Sequence, residues 1–202
     1  GNYVLTGGEN NNWIYGTGTT VIKGEIINSS TIVNAVIINE NKQLTTNASD
    51  VTGDIGNSGN YVLTGGENNN WIYGTGITVI DGEVINSSII ENTVIINKNK
   101  KLSTDATIGI VGIIVNNGTL LFNAGIANNN QITGVGKLNI TANYFINDNL
   151  IDQKTVEISK VNSNVSTVAS SNSQQELNNF INNSTISAED LTLKSVNLKL
   201  TE

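Results

Sequence analysis

The eighteen residues GNYVLTGGENNNWIYGTG at positions 1–18 recur without change at positions 59–76. Aligning residue 1 with residue 59 keeps 38 identities in the first 48 positions, and the copies diverge after Ala48 and Ala106. Two near-identical units in tandem must build the same local structure twice. Repetition at a fixed period of this size marks an architecture whose units stack along an axis. The 58-residue unit therefore constrains the fold more than any other feature.

Within each unit, apolar stretches of three to eight residues alternate with turn phrases. Tyr3-Val4-Leu5, Trp13-Ile14-Tyr15 and Val36-Ile37-Ile38 return as Tyr61-Val62-Leu63, Trp71-Ile72-Tyr73 and Val94-Ile95-Ile96. Between them lie TGGENNN, GTG, INSS, NENK or NKNK, and the strong turn signal Asp81-Gly82. No stretch of the repeat sustains a 3.6-residue apolar period, which argues against helices there. Short strands joined by polar corners predict an all-β chain, a parallel β-helix (solenoid), with three rungs of about 19 residues in each unit. Asn, at 36 of 202 residues, suits the corners: it tolerates left-handed dihedrals, and its amide can bond local backbone or an Asn one rung away. The alternative is a β-sandwich built from hairpins at Asn117-Gly118 and Asp81-Gly82. Lys23/Asp81, Val33/Glu91 and Glu40/Lys98 change charge or polarity between copies, so those positions are expected to face water or to lie at the edge of a face.

The expected organisation is a β-solenoid over 1–158, with repeats at 1–58 and 59–116, followed by an atypical or capping segment over 159–202. Ser173 and Glu176 read as a capping box, with Leu177, Phe180 and Ile181 as an apolar stripe, predicting a short C-terminal helix near 174–182. Ser187 and Asp190 read as caps of one further turn. Leu191, Leu193, Leu198 and Leu200 then read as strand.

Composition excludes several chemistries. The chain has no Cys and no His. It therefore lacks a disulfide, a thiolate nucleophile or ligand, and the usual general base near neutral pH. A formal charge of -7, with Lys98, Lys100 and Lys101 as the one basic run, gives no footprint for nucleic acid. That run reads as solvated surface. No 18-residue apolar run is present, so no membrane-spanning helix is expected.

Trp13 with Tyr15, and Trp71 with Tyr73, form the leading candidate for a binding surface. Residues i and i+2 of a strand share a face, so each Trp projects beside its Tyr. Facing outward, the pairs would make an aromatic ladder suited to sugars or a partner's surface; facing inward, they would fill the core. Glu9 and Glu67, with Asn10–Asn12 and Asn68–Asn70, offer oxygen ligands of the kind Ca²⁺ takes. One carboxylate per loop is thin charge for a cation, and the turn reading is preferred. No other metal or cofactor is expected. Asp81 and Glu83 are spaced to share a strand face, but a glycine turn lies between them and their counterparts are Lys23 and Glu25, so no catalytic residue is assigned.

Residues 115–140, VNNGTLLFNAGIANNNQITGVGKLNI, together with GTGTTVIKGEI (16–26) and GTGITVIDGEV (74–84), resemble the passenger region of bacterial autotransporter surface proteins. The surface cell antigens of Rickettsia and its relatives are the nearest in texture. The resemblance spans about 1–158. It implies a right-handed β-helix, secretion through an outer-membrane barrel encoded beyond Glu202, and an extracellular place on the bacterial surface. It also implies a non-catalytic adhesin or stalk contacting a host or bacterial surface protein or glycan. Two other functions fit the residues: a self-assembling filament or surface-layer component, and a polysaccharide-binding or polysaccharide-degrading β-helix.

Overall fold

The computed structural model describes residues 1–106, 109–124, 126–128, 130–142, 145–159, 179–194 and 197–200. Alternation decides what enters the core. In Thr19–Ile22, Glu25–Asn28, Ala35–Ile38 and Gln43–Thr46, every second residue is buried. The same holds in the second copy for Asn60–Leu63, Ile77–Ile80 and Glu83–Asn86. Successive side chains of a strand point to opposite sides, so Ile22, Ile38, Leu44, Ile55, Leu63, Ile80, Val94 and Leu102 all reach one continuous, fully buried core.

The strands wind as a parallel β-solenoid with three faces. The first face runs from Tyr3–Leu5 through Thr19–Ile22, Ala35–Ile38 and Ile55–Asn57 to Ile72–Tyr73. It continues by single bridges from Ile72 to Ile90 and Ile90 to Ile110. The second face runs from Gly8–Asn10 through Glu25–Asn28, Gln43–Thr46, Asn60–Leu63, Ile77–Ile80, Thr93–Ile96, Ile114–Asn116 and Ile132–Thr133. The third begins with the bridges Ile14 to Ile32 and Ile32 to Val51. Further along it carries Gly66–Asn68, Glu83–Asn86, Lys101–Thr104, Thr119–Phe122 and Lys137–Ile140. Every pairing among the described strands is parallel, so the hairpin-built sandwich does not occur.

Register corrects the expected phase of the repeat. Tyr3 stacks on Thr20, Thr20 on Val36 and Val36 on Ile55, so three full turns from Tyr3 end at Ile55. The repeat is six residues longer, and six residues carry the chain from Ile55 on the first face to Tyr61 on the second. The 58-residue unit therefore spans about three and a third turns. The second copy of every phrase stands one face further round than the first: Tyr61 occupies the second face where Tyr3 occupies the first.

The polar corners are internally bonded. The Asn10 amide donates to Asn28 Oδ1 at 2.6 Å, and the Asn28 amide donates to Thr46 Oγ1 at 3.0 Å and to the Ser30 carbonyl. One face further on, the Asn68 amide donates to Asn86 Oδ1 at 2.7 Å, and Asn86 donates to the Ser88 carbonyl at 2.6 Å. Asn41 and Asn99, equivalent in the two copies, both adopt left-handed φ, 59° and 63°. Both roles foreseen for Asn are therefore filled. Among the described residues one 3₁₀ turn, Ala48–Asp50, interrupts the strands, its Ser49 amide donating to the Asn47 side chain.

Lys23, Val33, Glu91, Glu40 and Lys98 are exposed, as the changes between copies predict. Asp81 is half-buried and lies 3.5 Å from Lys100. Lys101 is the ladder partner of Glu83, so Lys100 and Lys101 of the basic run have acidic neighbours.

The C-terminal expectations need correction. Residues 179–182, the last four of the expected helix, form the strand Asn179–Asn182, which pairs with Phe145–Asn147 and with Asn197–Leu200. Residues 174–178 lie outside the described residues. Ser187 and Asp190 cap no turn; both sit within the nine-residue strand Ile186–Lys194, which stacks in parallel on Ile151–Ser159. A parallel ladder offers each backbone group a partner, and that outweighs a local capping signal. Leu191, Leu193, Leu198 and Leu200 are in strands, as read.

Candidate functional site

The buried isoleucine in each WIY triplet fixes where its neighbours point. Ile14 and Ile72 enter the core, at 3% and 0% exposure, so Trp13 and Tyr15, and Trp71 and Tyr73, turn outward. The i, i+2 reading holds for both pairs. The rotated phase, however, parts them: Trp13–Tyr15 flanks Ile14 on the third face, and Trp71–Tyr73 flanks Ile72 on the first. They do not form one ladder. The solenoid carries two separate aromatic patches.

The patches differ in support. Trp71 and Tyr73 pack together with ring centroids 4.9 Å apart and planes tilted by 44°, within the range of a favourable offset pair. The Trp71 amide donates to Asp54 Oδ1 at 3.1 Å. Tyr73 lies over Gly56, where an added Cβ would come within 3.1 Å of the phenol oxygen. Asp54 and Gly56 lie on the rung beneath, and Gly56 leaves room for the Tyr73 ring. Trp13 belongs to the first rung and has no such floor. It is 72% exposed against 43% for Trp71. Asp54 and Gly56 escape sequence reasoning because they lie 17 residues upstream, one solenoid turn away; the turn length is the signal that finds them.

Glu9 and Glu67 are likewise parted, Glu9 on the second face and Glu67 on the third. Glu67 accepts from Ser87 Oγ at 3.2 Å. Its amide donates to Ser49 Oγ at 2.9 Å, so its loop is held by protein groups. Among the described residues, no group of three or more acidic side chains is placed to hold a metal ion. An open groove of about 560 Å³ on the third face has Glu67, Glu83, Asp105 and Lys101 among its walls.

Ionisation is perturbed away from these patches. Burial, followed by the nearby Asp50 carboxylate, drives the Tyr61 phenol far above its usual range. Hydrogen bonds from Lys194 and Lys137 hold the Glu157 carboxyl below its ordinary value, with ion-pair distances of 2.8 and 3.0 Å. Glu157, Lys137 and Lys194 tie Ile151–Ser159, Lys137–Ile140 and Ile186–Lys194 together.

No described helix is long and apolar enough to cross a membrane. The geometry offers outward aromatic rings on a regular scaffold, an arrangement suited to stacking contacts. No family model matches the chain, and no curated protein or solved structure matches it either.

Proposed function

We propose that this chain is the exposed, non-catalytic stalk of a bacterial surface protein, an adhesin whose solenoid presents aromatic patches to a glycan or a partner's surface. The passenger-like wording of residues 115–140 supports the extracellular setting and delivery through an outer-membrane barrel. The observation that carries the binding reading is the Trp71–Tyr73 pair: two packed rings, turned outward, with Tyr73 over a glycine that makes room for it. Aromatic faces of this kind stack on sugar rings and on apolar protein surface.

Because the patches stand on different faces, they act as two independent sites. Trp71→Ala is expected to remove the tighter one and Trp13→Ala the weaker one, each leaving the β-rich circular dichroism spectrum unchanged. Glycan-array or cell-binding titrations of the single and double variants measure this. Undiminished binding by the double variant contradicts the proposal, as does loss of β structure in either single variant.

A second reading draws on the third-face groove, where Glu67, Glu83 and Asp105 share one opening. Carboxylates across a groove are the equipment of polysaccharide hydrolysis. Release of reducing ends from acidic or neutral polysaccharides, abolished by Glu67→Gln or Glu83→Gln, would favour it.

A further inference from the structure

The register around Trp71 and Tyr73 decides which charges stand beside the two rings. Ile55, Ile72 and Ile90 stack in one fully buried column of the first face. Their chain neighbours turn outward and form two parallel columns: Asp54, Trp71 and Ile89 in one, Gly56, Tyr73 and Glu91 in the other. Asp54 is held at the foot of the indole, its Oδ1 accepting from the Trp71 amide at 3.1 Å. Glu91 follows Tyr73 at one strand spacing, about 4.8 Å, its amide donating to the Ile72 carbonyl at 2.8 Å. Asp54 and Glu91 are both exposed. The ring pair therefore has one acidic residue on the rung below and another on the rung above.

The protein supplies no cation to this patch. The first-face strands carry no lysine, and neither do residues 88–93. Among the described residues, no lysine lies within ion-pair distance of Asp54 or Glu91. The first copy of the phrase differs at this point. Ile14 bridges Ile32, so Val33 stands beside Tyr15 where Glu91 stands beside Tyr73. One aromatic phrase thus occurs in a more acidic and a less acidic setting within the same chain.

We propose that the Trp71–Tyr73 patch takes an arginine side chain from a basic segment of a partner protein. The inference rests on the reading of these rings as a contact surface and names the ligand that surface selects. Ring faces attract cations, and the two carboxylates add charge complementary to a cation. An anionic sugar would meet both carboxylates with no cation to hold it, and a neutral sugar would leave them without an opposite charge. Guanidinium suits the rings better than a methylated ammonium. The centroids lie 4.9 Å apart, so the rings pack on each other and do not surround a third group as a cage would. A guanidinium is planar, stacks on an open ring face and forks onto a carboxylate at the same time. The chain itself has no arginine, so the side chain comes from another protein and not from a second copy.

Nuclear magnetic resonance tests this, because the two indole N–H signals, told apart with Trp71→Phe, report the two patches separately. The unmodified chain is titrated with an Arg-Gly-Arg-Gly peptide, its lysine counterpart, its uncharged citrulline counterpart and a neutral oligosaccharide. The arginine peptide is expected to shift the Trp71 signal at the lowest concentration and the Trp13 signal less. Asp54→Asn and Glu91→Gln, checked for an unchanged circular dichroism spectrum, should each weaken arginine binding by about 2- to 5-fold, the range of exposed ion pairs. Equal responses to arginine and to lysine or citrulline overturn the inference. So do equal responses at Trp13 and Trp71, or arginine binding that ignores the double Asp54→Asn, Glu91→Gln variant. A stronger response to the oligosaccharide than to arginine also overturns it, while leaving the patch a contact surface. If no probe moves the Trp71 signal, the inference and the contact-surface reading fail together.

Discussion

Asn86→Ala should lower the free energy of unfolding by about 2–6 kcal/mol, from two or more buried polar groups left without partners at about 1–3 kcal/mol each. Asn86 is fully buried. Its Oδ1 accepts from the Asn68 amide at 2.7 Å, and its own amide donates to the Ser88 carbonyl at 2.6 Å and the Gly109 carbonyl at 3.2 Å. The side chain thus bonds its own corner and joins that corner to the rungs below and above. Alanine removes those bonds. Asn69→Ala, in the exposed part of the same phrase repeat, should stay within about 0.5 kcal/mol, the range of ordinary surface changes. Urea unfolding followed by circular dichroism measures both. A loss below 1 kcal/mol for Asn86→Ala would show that the corner ladder does not hold the rungs together.

Gly82→Val should cost at least the upper part of the range for overpacked interiors, about 3 kcal/mol. An added Cβ at Gly82 would lie 1.9 Å from the Thr64 carbonyl oxygen, and its equivalent at Gly24 meets Thr6 at the same distance. The obstacle is backbone of the neighbouring rung, so no rotamer change relieves it. The two rungs must separate or the corner must unwind. Gly82 is needed for close approach between turns of the solenoid and not for an unusual dihedral. The same substitution at Gly7, where an added Cβ meets nothing within 4 Å but φ is 158°, a conformation L side chains rarely adopt, separates crowding from dihedral strain. Thermal unfolding of the two variants checks this: the Gly82 variant should lose far more than the Gly7 variant, and equal losses would refute the crowding argument.

How much of this was legible follows from what each signal measures. The tandem unit and the missing helical period pointed to stacked parallel strands, because repetition reports on axial stacking and alternation reports on which side chains enter the core. The alternation around Ile14 and Ile72 likewise made the shared face of each Trp and Tyr readable. Phase was not readable. A 58-residue unit fits three turns of about 19 residues as well as three and a third shorter turns, and the sequence does not state how many residues each corner consumes. The step from Val36 to Ile55, which contains the Ala48–Asp50 turn, is longer than the steps from Tyr3 to Thr20 and from Thr20 to Val36. Even so, three turns end at Ile55, six residues short of the repeat at Tyr61, and that shortfall moves the second copy to the next face and parts the aromatic pairs. The supports of Trp71 and Tyr73 were hidden for the same reason, since Asp54 and Gly56 are neighbours across a turn whose length was unknown. At the C-terminus, Phe180 and Ile181 carried a helical spacing with Leu177, but Phe180 is the register partner of Phe145 and Leu198. Tertiary pairing decided the outcome there.

Disulfide trapping tests the rotated repeat most directly, because the chain has no cysteine of its own. Thr45 and Val62 are ladder partners on the second face. Adjacent strands lie about 4.8 Å apart, within the Cα separation of about 4.4–6.8 Å that a disulfide spans. Thr45→Cys with Val62→Cys should therefore cross-link under mild oxidation. Ile37→Cys with Val62→Cys should not, since Ile37 stands on the first face beside Gly56. Were the two copies stacked in phase, Val62 would continue the first-face column of Val4, Val21 and Ile37. Cross-linking of the second pair but not the first would then overturn the one-third-turn offset.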